Sequence, residues 1–219
     1  MAILELCAGY GGLGLAVQAL TGDKVAYVAE NGEAASLVLA ERFPDAPNIG
    51  DITTYDFTQL TGQVDIITAG FSCQDISNAG PRKGISGERS RVWKDVARAV
   101  RDIRPRVVFL ENVGAIRHRN RGLDAVLADL AALGYDATWT CIRASAVGAP
   151  HHRERWFCIA VPTGPIDPRL EVGDAEAGYN LPAAERSGSV SQDAHGAVEP
   201  QRLGPAPRET SWGGARTNP

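Results

Sequence analysis

Basic residues are nearly missing from the first 81 positions, which hold 2 lysines and arginines against 10 aspartates and glutamates, a net of −8. A polyanion has little footprint there. Cysteine is scarce: Cys7, Cys73, Cys141 and Cys158 are the whole set, and no two stand in a CxxC spacing. A disulfide framework is not expected, and Cys141 and Cys158, inside apolar runs, read as buried small hydrophobes. The four histidines, His118, His151, His152 and His195, form no HExxH or other dense ligand cluster, so no metal site is expected. No run of 18 apolar residues occurs, so a membrane span is not expected. The opening MAILELCAGYGG lacks a basic flank and does not read as a signal peptide, so a cytoplasmic location is expected.

What is present suffices for one sizeable core. The chain has 219 residues, 44% hydrophobic and 22% charged, which excludes a wholly disordered polymer. Charge is uneven: residues 82–162 carry 15 basic and 8 acidic side chains, and residues 163–219 carry 5 and 8. A basic middle on a chain of net −4 can bind a polyanion locally.

Up to residue 161, short β-rich runs alternate with helical segments. Strands are expected at Ala2–Cys7, Val25–Glu30, Ile49–Ile52, Val64–Ala69 and Arg106–Leu110, with a final pair at Ala137–Arg143 and Trp156–Val161. Helices are expected from the first glycine loop to about Leu20, and at Gly32–Phe43, Glu88–Arg101 and Arg121–Leu133. The second stops before Pro44 and the last at Gly134. This alternation implies an α/β fold with a doubly wound, mostly parallel sheet. From Pro162 onward, 58 residues carry 8 of the 13 prolines and 8 of the 24 glycines, with only short apolar runs. The expected organisation is a domain over 1–161 and a poorly ordered tail over 162–219.

The residues that could do chemistry fall after the strands, where ligands bind in open α/β sheets. Glu5-Leu6-Cys7-Ala8-Gly9-Tyr10-Gly11-Gly12 follows the first strand, and its glycines admit close backbone approach. Glu30 ends the second strand and Asp51 the expected third, suiting ribose hydroxyls and an adenine amino group. Such an acidic rim disfavours a phosphate-rich cofactor and suits S-adenosylmethionine. Gly70-Phe71-Ser72-Cys73-Gln74-Asp75 puts a cysteine across the crevice, where a thiolate would be a strong nucleophile. Glu111, directly after RVVFL, can contact a substrate base and, if protonated, donate to a ring nitrogen. Arg153 and Arg155 are two apart, so an extended segment aims both to one side, where they could clamp a phosphate and a base carbonyl.

Taken together the motifs resemble the C5-cytosine DNA methyltransferase family. ELCAGYGG is similar to its cofactor loop (D-L-F-A-G-x-G-G), GFSCQ to its nucleophile loop (G-F-P-C-Q), GERS to its G-x-R-S segment, ENV to its catalytic glutamate motif and HHRER to Q-R-R-E-R, in family order. The resemblance implies a Rossmann-like, S-adenosylmethionine-dependent fold and methyl transfer to C5 of a flipped cytosine in double-stranded DNA, of the restriction-modification kind. It implies Cys73 as nucleophile at C6, Glu111 on N3 and the amino group, Arg155 at the base O2, and Arg153 ordering the site. It assigns the cofactor to Cys7, Ala8, Gly9, Gly11, Gly12, Glu30, Asn31, Asp51, Ile52 and Ser72. Nucleic-acid contacts are expected from Gln74, Arg82, Lys83, Arg89, Ser90, Arg117, Arg119 and Arg121.

The chain departs from the family pattern at Ser72 (usually proline), Cys7 (usually aromatic), Asn31 and His151. The family's recognition domain and its later G-N-x-V segment have no counterpart in the tail. The chain is therefore expected to be truncated, to draw on a separate C-terminal or recognition subunit, or to recognise its target minimally. A tRNA substrate and a fragment that binds without turnover are the alternatives. A nicotinamide dehydrogenase fits poorly, since the loop lacks the G-x-G-x-x-G frame.

Overall fold

A computed structural model describes residues 1–71, 92–119 and 121–164, and the backbone of 191–192 and 198–199. Its strands are β1 (Ala2–Leu6), β2 (Lys24–Ala29), β3 (Ile66–Gly70), β4 (Val107–Val113), β5 (Tyr135–Arg143) and β6 (Glu154–Pro162). Its helices are α1 (Gly12–Thr21), α2 (Glu33–Arg42), α3 (Val92–Ile103) and α4 (Leu123–Ala132). The six strands form one sheet in the order β2-β1-β3-β4-β6-β5. The pairings β1–β2, β1–β3 and β3–β4 are parallel, and β6 is antiparallel to both neighbours. Within residues 177–219 the described part is the antiparallel pair β7 (Ser191–Gln192) and β8 (Val198–Glu199).

The sheet is buried on both faces because its central strands β1 and β3 are apolar except at Glu5 and Thr68. Ile3, Leu4, Leu6, Ile67 and Ala69 are fully buried. On one face Ile3, Val25, Val28 and Ile66 pack with Val17 of α1 and Leu39 of α2. On the other, Leu4, Leu6, Ile67, Val108 and Leu110 pack with Trp93, Val96 and Val100 of α3 and Val126 and Leu130 of α4. In α3 the buried positions 93, 96, 100 and 103 follow helical periodicity, which leaves Arg98 and Arg101 on the wetter side.

The order has a topological switch. The chain leaves β1 outward to β2, then returns to β3 on the other side of β1. Loops after β1 and β3 therefore diverge and open a crevice at the carboxyl ends. One expected strand does not form: around Ile49–Ile52 the only pairing is an isolated parallel bridge from Val28 to Asn48. Gly50, at φ +75°, turns the chain out of register, so Asp51 sits in a turn rather than at a strand end.

Candidate active site

The glycine-loop side of the crevice begins with Glu5. α1 starts at Gly12, and its N-cap residue Gly11 offers no side-chain acceptor. The Glu5 carboxylate, 2% exposed, supplies it instead: the Leu13 N–H donates to Oε1 at 3.2 Å, and the Gly14 amide faces the same group. Burial outweighs these amides and pushes the Glu5 carboxyl up to about 7. A Cβ on Gly14 would stand 2.3 Å from Glu5 Oε2, and one on Gly11, at φ +78°, 2.4 Å from the Phe43 ring. The loop is thus wedged between β1 and α2, and Arg42 of α2 also donates to the Tyr10 carbonyl.

Glu30 follows β2 and faces this loop. Its Oε2 accepts from the Gly9 N–H and its Oε1 from the Gly32 N–H, both at 2.8 Å. Asn48 fixes the backbone around it, donating to the Glu30 carbonyl and accepting from the Glu30 and Gly50 N–H groups at 3.0 Å. Asp51 accepts from the Thr53 N–H at 2.8 Å, from the Thr53 hydroxyl and from the Asn31 side chain, which together hold its carboxyl below the usual range. The Cys7 thiol is pushed up to about 12, by burial first and then by the carboxylates of Glu30, Asp51 and Asp95. Cys7, Glu30, Asn31 and Asp51 thus lie within electrostatic or hydrogen-bonding reach of one another, and Ile52 is buried.

The second half of the site lies at the ends of β4 and β6. Glu111 and Arg155 come from adjacent antiparallel strands, and Arg155 Nε meets Glu111 Oε1 at 2.7 Å. Burial still raises the Glu111 carboxyl, against the lowering pull of Arg155 and Arg153. Glu111 is the register partner of Gly70, and a Cβ on Gly70 would lie 3.5 Å from its other oxygen. The chain bearing Cys73 thus departs beside this carboxyl. Asn112 Nδ2 donates to the Phe71 carbonyl at 3.2 Å, and the Phe71 ring meets that of Trp93 at 5.3 Å between centroids. Residues on the two sides of segment 72–91 are therefore in contact.

Ser72, Cys73, Gln74, Arg82, Lys83, Arg89 and Ser90 lie outside the described residues. Arg117 follows β4 in a short 3-10 turn and pairs with Glu154 at 3.1 Å, while Arg119 is exposed. Arg121 is half-buried. Glu154 also holds Arg143 at 3.4 Å, beside exposed Arg153 in a shallow groove. Cys158 is buried as expected, whereas Cys141 is only partly so. Among the described residues no three His, Cys, Asp or Glu side chains gather as a metal site, and no helix is long and apolar enough to cross a membrane.

Sequence reasoning assigned no role to Glu5, Asn48, Arg98 or Asn112. Glu5 had a signal, a carboxylate inside an apolar strand just before the glycines. Asn48 had none.

A family model for the C-5 cytosine-specific DNA methylase matches residues 1–180. The chain belongs to this family. It is 37% identical over 158 residues to the type II methyltransferase M.CviJI of Paramecium bursaria Chlorella virus IL3A, covering 72% of this chain and 42% of that one. It is 34% identical over 158 residues to the type II methyltransferase M.HhaI of Haemophilus parahaemolyticus, covering 71% and 47%. The chain thus spans less than half the length of either relative. The crystal structure of S. pombe Dnmt2 methyltransferase superposes with a TM-score of 0.62 at 18% identity, over 76% of this chain and 51% of that one. The fold is accordingly that of the Rossmann-like methyltransferases.

Proposed function

We propose that this chain carries the cofactor-binding and catalytic machinery of a DNA cytosine-5 methyltransferase, taking methyl from S-adenosylmethionine to C5 of a flipped cytosine. The observation that carries the reading is the Glu111–Arg155 pair, at 2.7 Å, beside the point where the Cys73 segment leaves β3.

The donor set suits an adenosine cofactor. Each Glu30 oxygen holds one amide and keeps a lone pair for a ribose hydroxyl. Asp51 is exposed and anionic, able to accept from an adenine amino group. Among the described residues nothing lies within 4 Å of where a Cβ on Gly9 or Gly12 would stand, so they leave the loop accessible. Two carboxylates beside it oppose a phosphate-rich ligand. S-adenosylmethionine, when bound, supplies an electrophilic methyl group.

The base site works through three side chains. Glu111, its carboxyl raised, can be protonated and donate to N3 of cytosine, which makes C6 more electrophilic. Arg155 holds Glu111 in place and has further N–H groups for the base O2. Cys73 then bonds to C6 as thiolate, the electron pair moving to C5 and N3. With the cofactor bound, C5 would take its methyl group as the S–CH3 bond breaks and S-adenosylhomocysteine leaves. C5 would then lose its proton to water, and that electron pair would return to expel the Cys73 sulfur. Cys7 and Cys158, both pushed up to about 12, remain thiols and do not compete.

The test is transfer of tritium from methyl-labelled S-adenosylmethionine to mixed-sequence duplex DNA, with tRNA in a parallel arm. Acid-stable label in DNA that is lost in Cys73→Ser supports the reading. Label in tRNA alone replaces the substrate, and cofactor uptake with no transfer to either reduces the chain to a binding fragment.

A further inference from the structure

The Asp51 segment keeps a defined shape without the strand its sequence suggests. Beyond the Val28–Asn48 bridge it has no ladder. Side chains hold it at both ends. Asn48 fixes Gly50 on the near side. On the far side Arg98 of α3 donates from Nη1 to the Tyr55 carbonyl at 2.8 Å and from Nη2 to the Ile52 carbonyl. The same guanidinium lies 4.9 Å from the centroid of the buried Phe57 ring, and Asp95 one turn earlier holds Nη2 at 3.4 Å.

We propose that Arg98 is a positioning residue for the cofactor: its guanidinium stands in for the missing strand ladder and sets where Asp51 lies relative to Glu30. This rests on the reading of Asp51 as the adenine-side carboxylate. The chemistry favours arginine specifically. Carbonyls three residues apart are bridged by a planar fork of donors, whereas the compact ammonium of lysine cannot reach both in one geometry. Ile52 is 6% exposed, so its carbonyl has little access to water and needs a protein donor. The ring of Phe57 on one side and Asp95 on the other restrict the guanidinium to that place. Arg98 touches neither substrate nor reacting atoms in this scheme; it acts through the turn that carries Asp51. The helix it stands on also places Trp93 against Phe71, so one rigid element contacts both halves of the site.

The experiment uses the full chain, with Arg98→Ala, Arg98→Lys and, as a control on the same helix, Arg101→Ala. Amide hydrogen exchange is read across the chain, and S-adenosylhomocysteine is titrated by calorimetry. In Arg98→Ala, exchange at Thr53 and Thr54 should rise at least about tenfold, equivalent to about 1.4 kcal/mol of local opening, while β1, β3 and β4 keep their protection. The Kd for S-adenosylhomocysteine should rise by a similar factor. Arg98→Lys should fall between wild type and Arg98→Ala in both, and Arg101→Ala should change neither. Unchanged exchange at Thr53 and Thr54 overturns the proposal. So does a uniform rise over the whole sheet, which would make Arg98 a general stabiliser. If the wild type takes up no S-adenosylhomocysteine, the cofactor reading fails by itself, and exchange still decides whether Arg98 holds the turn.

Discussion

The two halves of the site are built from opposite materials. Around β1 and β2 the groups are backbone amides and carboxylates: Glu5 with Leu13, Glu30 with Gly9 and Gly32, Asp51 with Thr53. Around β4 and β6 they are side chains of opposite charge, Glu111 with Arg155 and Glu154 with Arg117 and Arg143. The first half offers acceptors held by main chain, suited to a neutral nucleoside with hydroxyl and amino donors. The second offers a carboxyl whose proton is balanced between burial and a guanidinium, suited to moving charge on a base. If this contrast is right, substitutions at Glu30 or Glu111 should leave the other half's measured quantity alone, since the hydrogen bonds and ion pairs of the two carboxylates share no partner.

The largest effect is expected on the charged side. Glu111→Gln removes the acid and should lower methyl transfer by about 100-fold or more, the scale of a lost general acid, with S-adenosylhomocysteine affinity unchanged. Single-turnover kinetics and calorimetry on one preparation check both halves of that statement. A matching loss of cofactor affinity would break the contrast. On the acceptor side, Glu30→Ala should raise the Kd for S-adenosylhomocysteine by roughly 10- to 100-fold, the worth of one charge-assisted hydrogen bond. Its single-turnover rate at saturating cofactor should stay near that of the wild type.

Glu5 gives a pH signature that only the amide-built half should show. Its folded carboxyl titrates near 7 against an ordinary 4.5, so the folded chain holds more protons than the unfolded one between those values. Stability from this group is fully present below pH 4.5 and is lost as pH rises through 7, by up to about 3 kcal/mol. Denaturant melts of wild type and Glu5→Gln at pH 5 and pH 8 should show that decline in the wild type and a flatter profile in the variant. A wild-type stability that rises across the same interval would contradict the burial argument.

A smaller effect belongs to the junction. Asn112→Ala leaves the Phe71 carbonyl without its donor and should cost about 1–3 kcal/mol, lowering Tm by roughly 2–4 °C for each kcal/mol. It should also slow the reaction at Cys73, because Phe71 lies two residues before it.

The contrast also marks what was legible in the sequence. The charged half was legible in part: a glutamate after the apolar run RVVFL and arginines two apart announce themselves by position, although β4 runs past Glu111 to Val113 rather than ending at Leu110. Their pairing follows from β4 and β6 being antiparallel neighbours, with Val113 opposite Arg155. The glycine loop and Glu30 were legible for the same reason. The Asp51 segment was not. Ile49–Ile52 has the composition of a strand, yet Gly50 turns it and the surrounding order comes from Asn48 and Arg98, far apart in sequence. Such long-range side-chain to main-chain bonds leave no local pattern. Glu5 likewise gained its role from the helix start it faces. Arg117, expected as a nucleic-acid contact, also pairs with Glu154, a pairing visible only once β4 and β6 are adjacent.

The most direct test of the catalytic assignment is the mass of the protein itself. The full chain is incubated with S-adenosylmethionine and a duplex carrying 5-fluorocytosine opposite an abasic site, which reduces the cost of extruding the base. Fluorine at C5 cannot leave as a proton does, so attack at C6 should freeze as a covalent complex. Peptide mapping should place the oligonucleotide on Cys73, and the complex should be absent in Cys73→Ser. An adduct on Cys7, Cys141 or Cys158, or one that persists in Cys73→Ser, would contradict the assignment of Cys73 as nucleophile.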